Sequence, residues 1–549
     1  MRTEFENRNK AKFPSVSTWV LRLMCVVCIV YGSAHANEVW LSPLDPVARA
    51  AHNWNASEDY MDLFRADSEW KTVAANLRVF KIGPGFVQQG RDEDLQRIFS
   101  ELKRRNIKLA LEIGMATRSE HCQERTEAYG EPGLVEGLLQ RVKRLGGEPS
   151  YIAMDEPLYY GHEYQGGDAC RLSVRQVAAD VAPNVKLAKR IFPNVKIGDI
   201  EVVYASKAFL QATEEWVDAY REAVGFNLEF LHADVSWSPA GMANLPLLSS
   251  FVRKSRRISF GIIYNGGNTD GQTDQSWARA AADHFTYIES GLGVIPDQAV
   301  FQTWVALPSH NLPEATAGTL TNLVLEYLRP RSVMTLMRNG TTLSGRLSDS
   351  AGAAISGAPI SIADIGAMTG ETMPTRNLSS TAFKNARAAL FAVRANKELQ
   401  CTCSGPVTAN IGKVTYYENA QAGGGRTNVH EIPGGKIAVD ASGTVYNNSA
   451  KFPVTPGAAF TLEVPYEARI NVEHSAYVAV LFVDDAGHEV GRRFLYLESI
   501  KTPIGTVRTR SDGSFSFGIN QTVLASGPQM FSADFPGDDR LRSATAMIQ

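Results

Sequence analysis

The sequence predicts a parallel (β/α)8 barrel followed by an all-β region, on three observations. From Val39 to about Arg329, short apolar runs alternate with helical patterns; the apolar runs number eight; and helical periodicity disappears after Pro330. Strand and helix in alternation is the pattern of repeated βα units around a parallel sheet, and eight strands is the number that closes one.

The predicted strands are Val39–Ser42, Arg78–Gly83, Lys108–Gly114, Tyr151–Glu156, Val195–Glu201, Leu228–Val235, Ile258–Asn265 and Ala299–Trp304. The clearest helix between them is Asp92–Arg105. Leu95, Ile98, Phe99 and Leu102 recur there at helical spacing, and acids fill the first turn, where they complement the helix dipole. Helices are also predicted at Gly133–Leu145, Ser173–Val181, Ser206–Val224, Ala243–Lys254, Ser276–Ser290 and Pro313–Leu328. An open doubly wound sheet is the rival arrangement, but no Gly-rich phosphate loop follows the first strand, which weakens its nucleotide-binding version.

Residues 1–36 have the layout of a secretory signal. A basic region ends at Arg22, Leu23–Tyr31 is apolar, and Ala34-His35-Ala36 supplies a small-x-small cleavage site. The apolar core is far short of the ~20 residues that span a bilayer, so no stable membrane insertion is expected after cleavage and a secreted, periplasmic or cell-surface location is. A net charge of -3 gives no reason to expect nucleic acid as a partner. Beyond the signal, Cys122, Cys170, Cys401 and Cys403 remain. An exported chain with an even count permits disulfides, and a Cys122–Cys170 bridge would join the loops after two neighbouring barrel strands. Cys401-Thr402-Cys403 lacks further ligands at zinc spacing, so a local bridge or free thiols is expected there and neither metal nor cofactor.

After Pro330, Thr341–Asp349 alternates in strand fashion and leads through a Gly-rich turn into Gly357–Ile362. The segments "TLSGRLSDSAGAAISGAPISI", "TRSDGSFSF" and "FSADFPGDDRLRSATA" resemble the start, middle and end of one bacterial Ig-like module. They imply a β-sandwich made of 331–375 plus 503–549, interrupted by an insert at 376–502. Insertion at an exposed loop tip is tolerated because it breaks few contacts. Within the insert, Phe460–Val464, Tyr477–Asp484 and Gly491–Leu497 resemble a jelly-roll carbohydrate-binding module, which implies sugar contact by this domain; no ligand motif supports calcium.

In a barrel, polar residues at the C-terminal strand ends converge on substrate. Here they are Glu112, Asp155, Glu156, Asp199, Glu201, His232, Asp234, Tyr264, Asn265, Gln302 and Trp304. Such a ring of acids suits glycoside hydrolysis, in which one carboxylic acid protonates the leaving oxygen and a second carboxylate acts as nucleophile or base. Trp304, Tyr264, Trp237 and Tyr159 are candidate flat faces for sugar rings. Asp155-Glu156-Pro157 is similar to the Asn-Glu-Pro at the end of the fourth strand in clan A retaining glycoside hydrolases, where the Glu is acid/base. The resemblance covers about Glu38 to Arg329 and implies that role for Glu156. Two departures matter: Asp155 replaces Asn, and the seventh strand ends Ile263-Tyr264-Asn265 where clan A places its nucleophilic Glu. Glu201 is therefore the expected partner of Glu156, with Asp234 next.

The expected function is an exported glycoside hydrolase acting on a polysaccharide, oligosaccharide or glycoconjugate. Two alternatives stay open: a catalytically inactive barrel that binds polysaccharide, and a metal-dependent hydrolase built on His232, Asp234 and neighbouring acids.

Overall fold

A computed structural model describes residues 38–548, except 205, 238, 268–272, 367–372, 398–406, 420–424, 440–443, 470–473, 498, 500, 521–522 and 524–529. The signal-like segment and Cys401-Thr402-Cys403 lie outside the described residues. Among those described, no helix is long and apolar enough to cross a membrane.

Eight parallel strands close into a barrel: β1 (Glu38–Ser42), β2 (Val79–Ile82), β3 (Lys108–Ile113), β4 (Pro149–Asp155), β5 (Lys196–Val203), β6 (Phe230–Val235), β7 (Ser259–Tyr264) and β8 (Gln298–Gln302), with β8 pairing back onto β1. Period-2 alternation sends one set of side chains into the lumen. Trp40, Val79, Ala110, Tyr151, Ala153, Ile200, Phe230, Ile263 and Val300 form that inner cluster. Gly198 and Gly261 make room for it, since a Cβ would stand 2.3 Å from Phe230 and 2.2 Å from His232. The opposite set meets the helices, as at Asp92–Arg104, whose Leu95, Ile98, Phe99 and Leu102 are all buried.

One helix runs well past its expected end. Val174–Ile191 continues through Pro183 because Val185, Ala188 and Ile191 extend the buried stripe begun by Val174, Val177 and Val181. That apolar face outweighs the roughly 3 kcal/mol that an interior proline costs.

Beyond the barrel all sheets are antiparallel. Ser332–Asn339, Thr342–Asp349 and Ser514–Gly518 form one sheet, and Lys501–Arg508, Pro359–Ile365, Met530–Phe535 and Ala544–Ile548 form the facing one. They enclose a core that includes Leu343, Ile360, Phe515 and Phe531. Early and late segments of the chain thus pair across the strands from Thr375 to Tyr496. Those strands build two further sheets around a second core of Tyr416, Phe460, Val480 and Phe482.

Candidate active site

The strand β4 sets the site. Tyr151 and Ala153 face the lumen, so Asp155 does too, and plain alternation would turn Glu156 outward. Glu156 instead adopts φ 48°, in the left-handed region that disfavours a side chain and more so before a proline. Its N–H still donates to Ile200 O at 3.1 Å, extending the ladder by one residue. The kink brings its carboxyl onto the lumen-facing Asp234 at the end of β6, where the two hydrogen-bond. Backbone strain of order 1–3 kcal/mol persists only where surrounding contacts enforce it, and it concentrates at functional sites.

The electrostatics follow from burial and crowding. Burial, then the charges of Asp234, Asp155, Glu201 and Glu127, push Glu156 up to about 11. Asp234 is raised by burial only to about 6, because the hydrogen bond from Glu156 favours its charged form. At neutral pH the pair therefore holds one proton, and Glu156 keeps it. Asp155 is raised well above the usual carboxylate range by burial and by Glu112 and Glu127. The cation among these acids is Lys81 on β2, itself buried, paired with Glu112 and donating to Gln302 Oε1 at 2.6 Å. Gln302 Nε2 in turn donates to Glu112 at 3.0 Å.

Four expected site residues lie elsewhere. Glu201 faces out of the barrel, fully buried, and accepts from the backbone N–H groups of Leu158 at 2.7 Å and Tyr159 at 3.0 Å. It caps the turn that follows Glu156, and the carboxyl that meets Glu156 is that of Asp234. Asp199, two residues earlier on the same outward face, accepts from Trp216 Nε1 at 2.5 Å in the strand–helix layer. Tyr264 is outward as well, fully buried, with its hydroxyl on Glu289 at 3.1 Å, so it offers no face to a sugar. His232 faces inward but one layer too deep: it is fully buried, bonded to Gln298 Oε1 at 2.9 Å and edge-on to Trp40. Burial and Lys81 lower it to about 3, so it is neutral.

Trp237, Asn265 and Trp304 do collect at the mouth. Trp237 stacks on His284 at 3.8 Å and donates to Asn265 Oδ1 at 2.6 Å. Asn265 Nδ2 is buried and has no protein partner among the described residues. Trp304 is 47% exposed. Tyr159 is half-buried and packs edge-on against Tyr160, Tyr204 and Phe209, with Glu156 beside it.

Sequence reading missed three neighbours of the pair: Lys81, Glu127 and Tyr160. Lys81 was accessible to it, as the alternate residue after lumen-facing Val79. Glu127 was not, because it lies in an aperiodic loop. It accepts from Tyr160 Oη at 2.5 Å. That loop is joined to the one after β4 by the Cys122–Cys170 disulfide. Among the described residues, Cys122, Glu124 and Cys170 alone group closely enough to share an ion, and their sulfurs are bonded to each other; His232 and Asp234 belong to no such group.

A cavity of about 1730 Å³ opens from Asp234 past Trp237, Asn265 and Trp304, and runs between the barrel and both β-sandwiches. No protein-family model matches the sequence, and no curated protein does. Solved structures similar to the chain include a fungal β-1,4-galactanase, at 9% identity and TM-score 0.36 over 52% of this chain and 98% of that one. An α-L-arabinofuranosidase from Thermotoga maritima is similar at 10% identity and TM-score 0.34, over 78% and 97% of the two chains. A GH53 catalytic domain from Ignisphaera aggregans is similar at 12% identity and TM-score 0.33, over 50% and 86%.

Proposed function

We propose that this chain is an exported glycoside hydrolase that cleaves a polysaccharide or glycoconjugate with Glu156 as general acid/base and Asp234 as its partner carboxylate. The observation that carries the reading is the Glu156–Asp234 pair itself: two carboxyl groups from separate strand ends, sharing one proton at the mouth of a parallel barrel. Glu156 donates its proton to the leaving glycosidic oxygen while charged Asp234 stabilises or attacks the anomeric carbon; Glu156, now ionised, then takes a proton from a water whose oxygen bonds to that carbon and frees Asp234 as the carboxylate. Direct contact leaves no space for a water between the two groups. An inverting arrangement, with its carboxyl groups about 6.5–9.5 Å apart around a water, is therefore not the one this pair presents. The exposed Trp304 ring supplies an apolar face for the sugar. The Cys122–Cys170 bond suits an oxidising compartment.

The test is turnover by the secreted protein on a panel of bacterial and plant polysaccharides, with product detection. Wild type releases sugars, and Glu156→Gln, which keeps the shape and removes the transferable proton, loses about 10²-fold or more of kcat while still binding. Equal turnover by the two proteins would refute the acid assignment. A second reading, a barrel that binds polysaccharide without cleaving it, draws on Asn265 standing where a β7 acid is usual; binding by wild type with no product from any substrate would select it.

A further inference from the structure

The cavity that begins at Asp234 does not end at the barrel. It continues to Arg376, Tyr466 and Phe494, residues of the inserted β domain, and so joins Asp234 to a module more than a hundred residues further along the chain. Its volume of about 1730 Å³ exceeds the roughly 300–1,000 Å³ that encloses one small ligand. Two large aromatic side chains of this lining are exposed, Trp304 at 47% just after the last barrel strand and Phe494 at 37% on the insert. Phe494 lies on the strand Glu489–Tyr496, an edge strand of its sheet. Beyond Asp234 the charges balance: Asp283, Glu326 and Asp534 line the groove together with Arg279, Arg376 and Lys501. A groove with neither sign in excess gives no field to attract a charged polymer.

Resting on the glycosidase reading above, we propose that the groove binds one extended, uncharged glycan chain, and that the insert supplies its distal platform through Phe494. A sugar chain presents flat apolar faces along its length, so aromatic rings at two separated points hold it in line and carry the reacting linkage to Asp234. The insert then acts as part of the substrate cleft rather than as a spacer.

The test is calorimetric titration of the full chain carrying Glu156→Gln with soluble galactan, arabinan, xylan and glucomannan, and with oligosaccharides prepared from the tightest binder. Affinity should rise about tenfold or more from disaccharide to hexasaccharide, and adding Phe494→Ala should remove about fivefold of that gain while Phe494→Tyr retains it. Affinity independent of length, a gain undiminished by Phe494→Ala, or binding by none of the four polymers would overturn the proposal. Turnover by the wild-type chain, run in parallel, separates the two readings. Length-dependent binding without turnover removes the hydrolase reading and keeps the cleft, whereas turnover with flat affinity removes the cleft alone.

Discussion

At the scale of the residue, the proton on Glu156 bears on stability and, in the proposed mechanism, on rate. The proposed mechanism uses Asp234 ionised, so kcat/KM should fall as pH drops through about 6, and Asp234→Asn should abolish that limb along with most activity; a pH–rate profile checks it. The linkage to stability has the opposite sense. Glu156 titrates near 11 when folded and near 4.3 when unfolded, so between those values the native state holds a proton that the unfolded state has released. Its contribution is complete below pH ~4 and is lost progressively as pH rises. Glu156→Gln carries no such charge, and its thermal midpoint should fall by about 4 °C less than that of wild type between pH 5 and 8. Parallel curves would mean that Glu156 is already ionised at neutral pH.

At the scale of the element, Glu201 shows how a residue can shape the turn beside a site without entering it. Both of its oxygens are spent on the N–H groups of Leu158 and Tyr159, which are orphan donors at the start of a helical turn. Glu201→Ala would leave them buried and unpaired, costing about 1–3 kcal/mol each and loosening the turn that aims Glu156. The expected result is a fall in kcat of about tenfold or more with KM little changed, recovered in part by Glu201→Gln; a rise in KM alone would point instead to substrate contact. The barrel itself was legible from the sequence because its eight apolar runs and intervening helices are local patterns. Which strand-end acids reach the lumen depends on parity along each strand: Asp199 and Glu201 share a face with each other, but not with lumen-facing Ile200. Spacing alone gives that shared face and not its direction. Glu156 breaks parity through a positive φ that no residue type announces, and its place at the mouth was foreseen only by resemblance.

At the scale of the whole molecule, the barrel and the discontinuous sandwich are joined by a buried ion pair. Arg542 reaches Glu289 at 2.9 Å with both side chains almost fully buried, and its guanidinium lies 4.4 Å from the Tyr327 ring centroid. Thr286 and Ser543 hydrogen-bond beside it at 2.7 Å, and Arg542 N donates to Pro330 O. Removing one partner strands a buried charge, so Arg542→Met should destabilise the chain by about 3–5 kcal/mol, and adding Glu289→Gln should restore much of that loss. Denaturant unfolding of the full-length variants measures both, and additive losses would mean that the pair is not coupled.

Glu289 also accepts from the hydroxyl of Tyr264, the neighbour of Asn265, so the barrel wall behind the seventh strand rests on a residue of the discontinuous sandwich. During synthesis the barrel emerges first. Because Arg542 follows the whole barrel in the chain, Glu289 gains its counter-ion only after every carboxyl group of the candidate site has been synthesised.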